Sequence, residues 1–196
     1  STDCMKDFFE YTWSDEEINI EQPVIFIANY KSLQKGPIEL LQLNGASQQK
    51  SHSSNAAGKQ KIIFASGTRT WFELAKLGYW VTGSADALGV ESFLPSLQMP
   101  LFNIQLNDVC ILTHKEAAER WQQKGYHAVS NYQLISKNNE AVAAAVASAD
   151  FLFWSSFSQY NYYKRYIKPG AVHLCAGGET AALLKQTGEE PVIFPT

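Results

Sequence analysis

Two short segments carry the residue types that could do chemistry in this chain. One is Gly67-Thr68-Arg69-Thr70, directly after the apolar run Lys61-Ile-Ile-Phe-Ala65. The other is Gly177-Gly178-Glu179-Thr180, directly after Ala171-Val-His-Leu-Cys175. Both read G-x-x-T at the point where a strand should hand over to a helix. The first N–H groups of a helix have no intrahelical partner, and the helix dipole is positive there. A threonine hydroxyl adds one more donor. Each turn therefore suits an anion, and two facing turns would clamp a polyanionic ligand. A second role stays open for the same residues: glycine at such a turn also serves tight packing, and a hydroxyl there also caps the helix.

Other chemistries find no pattern. Cys4, Cys110 and Cys175 form no CxxC, and His52, His114, His127 and His173 are scattered, so no zinc site is expected. Cys110 and Cys175 sit inside apolar runs and read as buried strand residues. His127 and His173 lie in apolar strand segments and read as core histidines. There is no G-x-S-x-G elbow, no G-x-G-x-x-G after a strand and no GxxxxGK[ST] loop. The pairs Glu16-Glu17 and Glu189-Glu190 read as solvated faces. The tyrosines at 160, 162, 163 and 166 have helical spacing, half core and half surface.

The elements that must position the two turns follow from the apolar pattern. Pro23–Ala28, Lys61–Ala65, Tyr79–Thr82, Asp108–Leu112, Tyr126–Ile135, Phe151–Trp154, Ala171–Cys175 and Pro191–Phe194 read as strands, most of them continuously apolar. Between them, helices are expected from Asn29 towards Leu41, with a break at Gly36-Pro37, then over Arg69–Leu77, Glu91–Leu97, His114–Lys124, Glu140–Ala149 and Phe157–Ile167, and after Gly177-Gly178. The stretch 44–60 is polar and aperiodic, a surface loop. Strand and helix alternate, so the class is α/β with parallel sheets.

The two G-x-x-T segments also superpose at an offset of 110 residues. Gly67 pairs with Gly177, Thr70 with Thr180, Leu74 with Leu184 and Gly78 with Gly188. An apolar strand with a polar turn precedes each copy, at Pro23–Leu33 and at Asp150–Tyr160. Two related lobes are the natural reading. The chain of 196 residues is 45% hydrophobic with a net charge of −3 and no basic stripe, which argues against nucleic acid as a partner. No apolar run reaches the roughly 18 residues of a membrane span; the best, Ala141–Phe157, is interrupted by Asp150. The cysteine usage and the lack of a visible signal peptide point to a reducing cytoplasm.

These pieces together resemble the uroporphyrinogen-III synthase family. The tail Gly177-Gly-Glu-Thr-Ala-Ala-Leu-Leu-Lys-Gln-Thr-Gly188 is similar to that family's closing G-x-x-T-A-x-x-L-x-x-x-G segment. Ala149–Ser158 resembles its apolar strand with a Ser-rich turn, residues 66–94 its earlier G-x-x-T-A segment, and Asn131-Tyr132-Gln133 its crossing back between lobes. The order of the pieces matches over roughly residues 24–196.

The resemblance implies two flavodoxin-like lobes joined by a two-stranded linker, with the active site in the cleft between them. Lobe 1 would be 1–22 with 136–196, and lobe 2 would be 23–135. It implies closure of linear hydroxymethylbilane to uroporphyrinogen III, with inversion of the last pyrrole ring and loss of water, by a monomer with no cofactor and no metal. A non-catalytic protein binding a tetrapyrrole or small anion on the same scaffold is the alternative. On this resemblance Tyr132 is the candidate general acid, with a packing role equally open. Ser155, Ser156, Ser158, Gly177, Gly178 and Thr180 are the substrate donors of one lobe, and Gly67, Thr68, Arg69 and Thr70 those of the other. Three departures stand out. Only residues 1–22 precede lobe 2, so the family's first strand and helix are expected to be missing. Thr113-His114-Lys115 replaces the common Arg or Gly after the mid-chain strand. Trp71 replaces the small residue after Thr70.

Overall fold

The computed structural model describes residues 8–15, 18–33 and 61–194. The chain is α/β, with mostly parallel sheets and six α-helices among the described residues. A six-stranded sheet has the order β1-β6-β5-β2-β3-β4. Its strands are β1 (Phe9–Trp13), β2 (Val24–Ile27), β3 (Ile62–Ala65), β4 (Gly83–Ser84), β5 (Val109–His114) and β6 (His127–Ser136). A three-stranded sheet has the order β7-β8-β9, with β7 (Phe151–Trp154), β8 (Val172–Cys175) and β9 (Val192–Ile193). The helices are α1 (Thr68–Lys76), α2 (Val90–Leu97), α3 (Lys115–Gln123), α4 (Glu140–Ser148), α5 (Phe157–Tyr163) and α6 (Glu179–Gln186).

Contacts divide the chain into two compact units. One is Ser1–Thr12, Ala87–Ser92 and Leu134–Thr196; the other is Trp13–Asp86 and Phe93–Gln133. Strands β1 and β6 run through both. Ser14 N donates to Asn131 O and Lys137 N to Phe8 O, so this pair is antiparallel.

In the unit starting at Trp13, β2, β3, β5 and β6 pair in parallel. The continuous apolar runs are buried on both faces, as parallel strands under helices should be. Ile25, Ile27, Ile63, Ala65, Cys110 and Leu112 form one face and pack against Leu74 of α1. In the unit holding the C-terminal residues, Leu152, Trp154 and Cys175 pack against Val146, Tyr160, Tyr163, Ala181 and Leu184, which come from α4, α5 and α6.

One expectation is corrected. Tyr79–Thr82 is not a strand. Trp80 is 74% exposed, and pairing with β3 begins only where Thr82 N donates to Ile63 O, so the strand is Gly83–Ser84. The aromatic run Phe9–Trp13 is strand β1 with alternating burial. After Asn29 the structure describes one 3-10 turn, Tyr30–Leu33. The continuation towards Leu41 and the loop 44–60 lie outside the described residues.

Candidate functional site

Strand order locates the first cluster. From β2 the chain moves to β3 on one side, and from β5 it moves to β6 on the other. The crevice at the carboxyl ends of β2 and β5 is a topological switch point, where open α/β sheets bind ligands.

Polar groups gather there. Asn29 Oδ1 accepts from Lys31 N at 3.0 Å, which turns the chain into the 3-10 segment. Lys31 and Ser32 are buried, and Trp13 Nε1 donates to Lys31 O at 3.1 Å. Asn131 Nδ2 donates to Ser32 O across the sheet. Asn131 is the extra residue of a bulge: Thr113 lies opposite Ser130, but His114 lies opposite Tyr132. Ser32 Oγ and Asn131 Oδ1 are buried with no hydrogen-bond partner among the described residues. Buried polar atoms seldom stay unpaired, so this crevice has capacity for a further donor and acceptor.

Tyr132, the candidate acid, is 4% exposed. Its ring lies 6.5 Å from that of Trp13 and meets His114 edge-on at 6.1 Å. His114 ends β5 and caps α3, its Nδ1 accepting from Ala117 N at 3.4 Å. Desolvation, with Arg120 nearby, pushes the imidazole down to about 4. The ring is therefore neutral at physiological pH, with Nδ1 occupied as acceptor and the proton on Nε2.

The first G-x-x-T turn adjoins the same edge. Ser66 Oγ donates to Ala28 O at 2.7 Å and lies 3.4 Å from Thr70 Oγ1. Thr70 is buried while Thr68 and Arg69 are exposed, and the Arg69 guanidinium sits over the Tyr30 ring at 5.8 Å. Gly67 is the N-cap of α1 with extended backbone (φ −169°), which any residue can adopt.

The second cluster lies in the other unit, where β7 and β8 are parallel neighbours and their following turns lie side by side. Ser155 N and Oγ both donate to Gln159 Oε1, at 3.0 and 2.8 Å. Ser156 caps α5, its Oγ accepting from Gln159 N at 3.4 Å. Ser158 is half-buried on α5. Gly177, Gly178 and Thr180 are half-buried at the start of α6. Gly178 has φ +78° and ψ −148°, a region open essentially to glycine alone. A Cβ there would meet Leu88 O at 2.7 Å. Packing thus requires glycine at 178, whereas nothing in the backbone requires it at 67.

The structure brings together Gly67, Thr68, Arg69 and Thr70 in one unit, and Ser155, Ser156, Ser158, Gly177, Gly178 and Thr180 in the other. Sequence reading missed Lys31 and Ser32, and it named Asn131 and His114 without giving either a place in the site. The signal available was a lysine and a serine placed just past an apolar strand, in Ala28-Asn-Tyr-Lys-Ser32. Among the described residues the two cysteines offer no nucleophile: burial pushes the Cys110 thiol up to about 11 and raises Cys175 as well. No group of His, Cys, Asp or Glu that could hold a metal occurs among the described residues, and none of their helices is long and apolar enough to cross a membrane.

No family model and no curated protein matches the sequence. Solved structures do match in fold. Uroporphyrinogen-III synthetase from Helicobacter pylori aligns with 96% of this chain and 85% of its own, at TM-score 0.50 and 14% identity. A mutant uroporphyrinogen III synthase from Thermus thermophilus aligns with 94% of this chain and 79% of its own, at TM-score 0.45 and 13% identity.

Proposed function

We propose that this chain is a cofactor-independent uroporphyrinogen-III synthase, a lyase of porphyrin biosynthesis. It would cyclise hydroxymethylbilane with inversion of the last ring and loss of water. The observation that carries this reading is the fold shared with the Helicobacter pylori synthetase along 96% of the chain. In this reading the two units are the two flavodoxin-like lobes, and each contributes a set of donors at its strand carboxyl ends.

The substrate carries eight carboxylates. A protein of net charge −3 attracts it little by its overall field, so local groups must hold it. The exposed Arg69 supplies a bidentate cation. The first N–H groups of α1, α5 and α6 supply oriented amides. The chemistry then needs a proton for the departing hydroxyl, a cationic intermediate kept from bulk water, and the last ring held for attack at its substituted carbon. Tyr132 is our acid, and its place under Trp13 and His114 excludes solvent.

The same burial favours a second reading, in which the scaffold binds a tetrapyrrole or small anion without turnover. One experiment separates the two. Purified protein is given freshly made hydroxymethylbilane, and the products are resolved as type I and type III isomers. The synthase reading expects type III in excess, with Tyr132→Phe slowing its formation by about 10²–10⁴-fold. Saturable binding with only the spontaneous type I product would establish the second reading and remove the first.

A further inference from the structure

The donors at the two G-x-x-T turns suit carboxylates. A pyrrole ring also carries an N–H, which needs an acceptor, and the crevice at β2 and β5 offers one. Asn131 Nδ2 donates to Ser32 O across the sheet. That bond fixes the amide, because turning it over would set Oδ1 against the Ser32 carbonyl, acceptor against acceptor. Oδ1 therefore faces away from that carbonyl. It has no hydrogen-bond partner among the described residues, on a side chain whose residue is 4% exposed. Ser32 Oγ is in the same state, on a residue 1% exposed. Leaving one such group buried and unpaired costs about 1–3 kcal/mol, and folded proteins keep few of them.

The pair stands beside the candidate acid. Trp13, whose ring lies 6.5 Å from that of Tyr132, donates to Lys31 O, the carbonyl next to the one that Asn131 holds. Over the pair lies one 3-10 turn, Tyr30–Leu33, held at its start by Ser32 N donating to Asn29 O and Lys31 N donating to Asn29 Oδ1. Ala28, Asn29, Tyr30 and Leu33 around it are half-buried.

We propose, resting on the synthase reading, that Asn131 Oδ1 accepts the N–H of the pyrrole ring that loses the hydroxyl, and that Ser32 Oγ donates to a carboxylate of the same ring. The ring reaches both atoms when the Tyr30–Leu33 turn shifts. The carbon–oxygen bond of the hydroxymethyl group breaks with its electron pair on oxygen, and the Tyr132 proton completes the leaving water. The ring nitrogen keeps its hydrogen and takes a share of the positive charge. Its N–H is then a charge-assisted donor, so the bond to Oδ1 strengthens as the charge develops. Burial removes water as a competing acceptor. A free carboxylate does not fit Oδ1, which would meet it acceptor to acceptor. Asn131 thus reads the ring itself, where the two turns read its acidic arms.

The test measures type III formation from freshly made hydroxymethylbilane and, anaerobically, the binding of uroporphyrinogen III by calorimetry. Ser32→Ala deletes a hydroxyl without a partner, so the free chain should melt no lower than wild type while KM and the binding constant weaken about 10-fold. Asn131→Leu removes both the acceptor and the brace on Ser32 O, whereas Asn131→Asp removes the brace and keeps an acceptor. Both should melt lower than wild type. The kcat should fall about 10–100-fold in Asn131→Leu and stay within about threefold of wild type in Asn131→Asp. Equal losses in these two variants would show that Asn131 is only a brace and would overturn the proposal with the synthase reading intact, as would an Asn131→Leu rate equal to wild type. Where the Asn131 variants do not fold, Ser32→Ala decides, and an unchanged KM overturns the proposal. A wild-type chain that yields only type I product defeats the synthase reading by itself. Calorimetry then judges the subsite alone: weaker binding of uroporphyrinogen III in Ser32→Ala supports it, and binding equal to wild type, or none in either, overturns it.

Discussion

Gly178 decides whether the second G-x-x-T turn is built by packing. Its backbone lies at φ +78° and ψ −148°, and an added Cβ would meet Leu88 O at 2.7 Å, Leu88 C at 2.9 Å and Gly89 N at 3.2 Å. Those neighbours are backbone atoms and cannot rotate away. Gly178→Ala should suffer about 1–3 kcal/mol from the conformation and about 1–3 kcal/mol more from the contact. Gly188 closes the same helix at φ +90° with nothing within 4 Å of an added Cβ. Gly188→Ala should lose about 1–2 kcal/mol to left-handed strain and regain part of it from a less flexible unfolded chain. At roughly 2–4 °C per kcal/mol, Gly178→Ala should melt about 10 °C lower than wild type and Gly188→Ala about 3 °C lower. Thermal melts followed by near-UV circular dichroism report both variants in the same unit. Equal shifts would show that the Leu88 carbonyl does not set the requirement at 178.

Two further outcomes test other parts of the structure. His114 sits with its pKa at about 4 because burial disfavours its charge, so the unfolded chain takes up a proton that the folded chain refuses. Its contribution is whole above about pH 6.5 and is lost as pH falls towards 4, amounting to at most about 3 kcal/mol. Asparagine keeps a cap on α3, so in denaturant titrations His114→Asn should flatten the stability profile between pH 7 and 4.5; parallel profiles would refute the assignment. Leu74 and Leu184 hold matching places in the two repeats and are both 0% exposed, in separate cores. Each change to alanine should destabilise by about 3–5 kcal/mol, and urea unfolding of the double variant should show the sum within about 0.5 kcal/mol.

Legibility from sequence followed the range of the forces involved. Strands β2, β3, β5 and β7 announced themselves because apolar runs bounded by Pro, Asn or Ser express burial locally. Asn139 and Ser156 were readable as helix starts because their side chains accept from Val142 N and Gln159 N, three residues on. The strand after α1 was misplaced because Tyr79 and Trp80 have strand propensity but no partner strand, and pairing with β3 chose Gly83 and Ser84 instead. The crevice at β2 and β5 was not legible. Ser32 and Asn131 meet across 99 residues of sequence, and only the strand order brings them together.

The division of the chain into interleaved segments bears on how the protein is made. One unit has all its residues once Gln133 has left the ribosome. The other must keep Ser1–Thr12 and Ala87–Ser92 waiting until the final strands are synthesised. At about 5–20 residues per second that wait lasts roughly 3–12 s. For the first 30 residues of that wait, roughly 1.5–6 s, Phe8 lacks Tyr163, the ring it meets at 5.2 Å in the finished protein. The nascent chain therefore carries Phe8 without its Tyr163 partner for seconds after its first unit can fold, which is the interval in which a chaperone would find it.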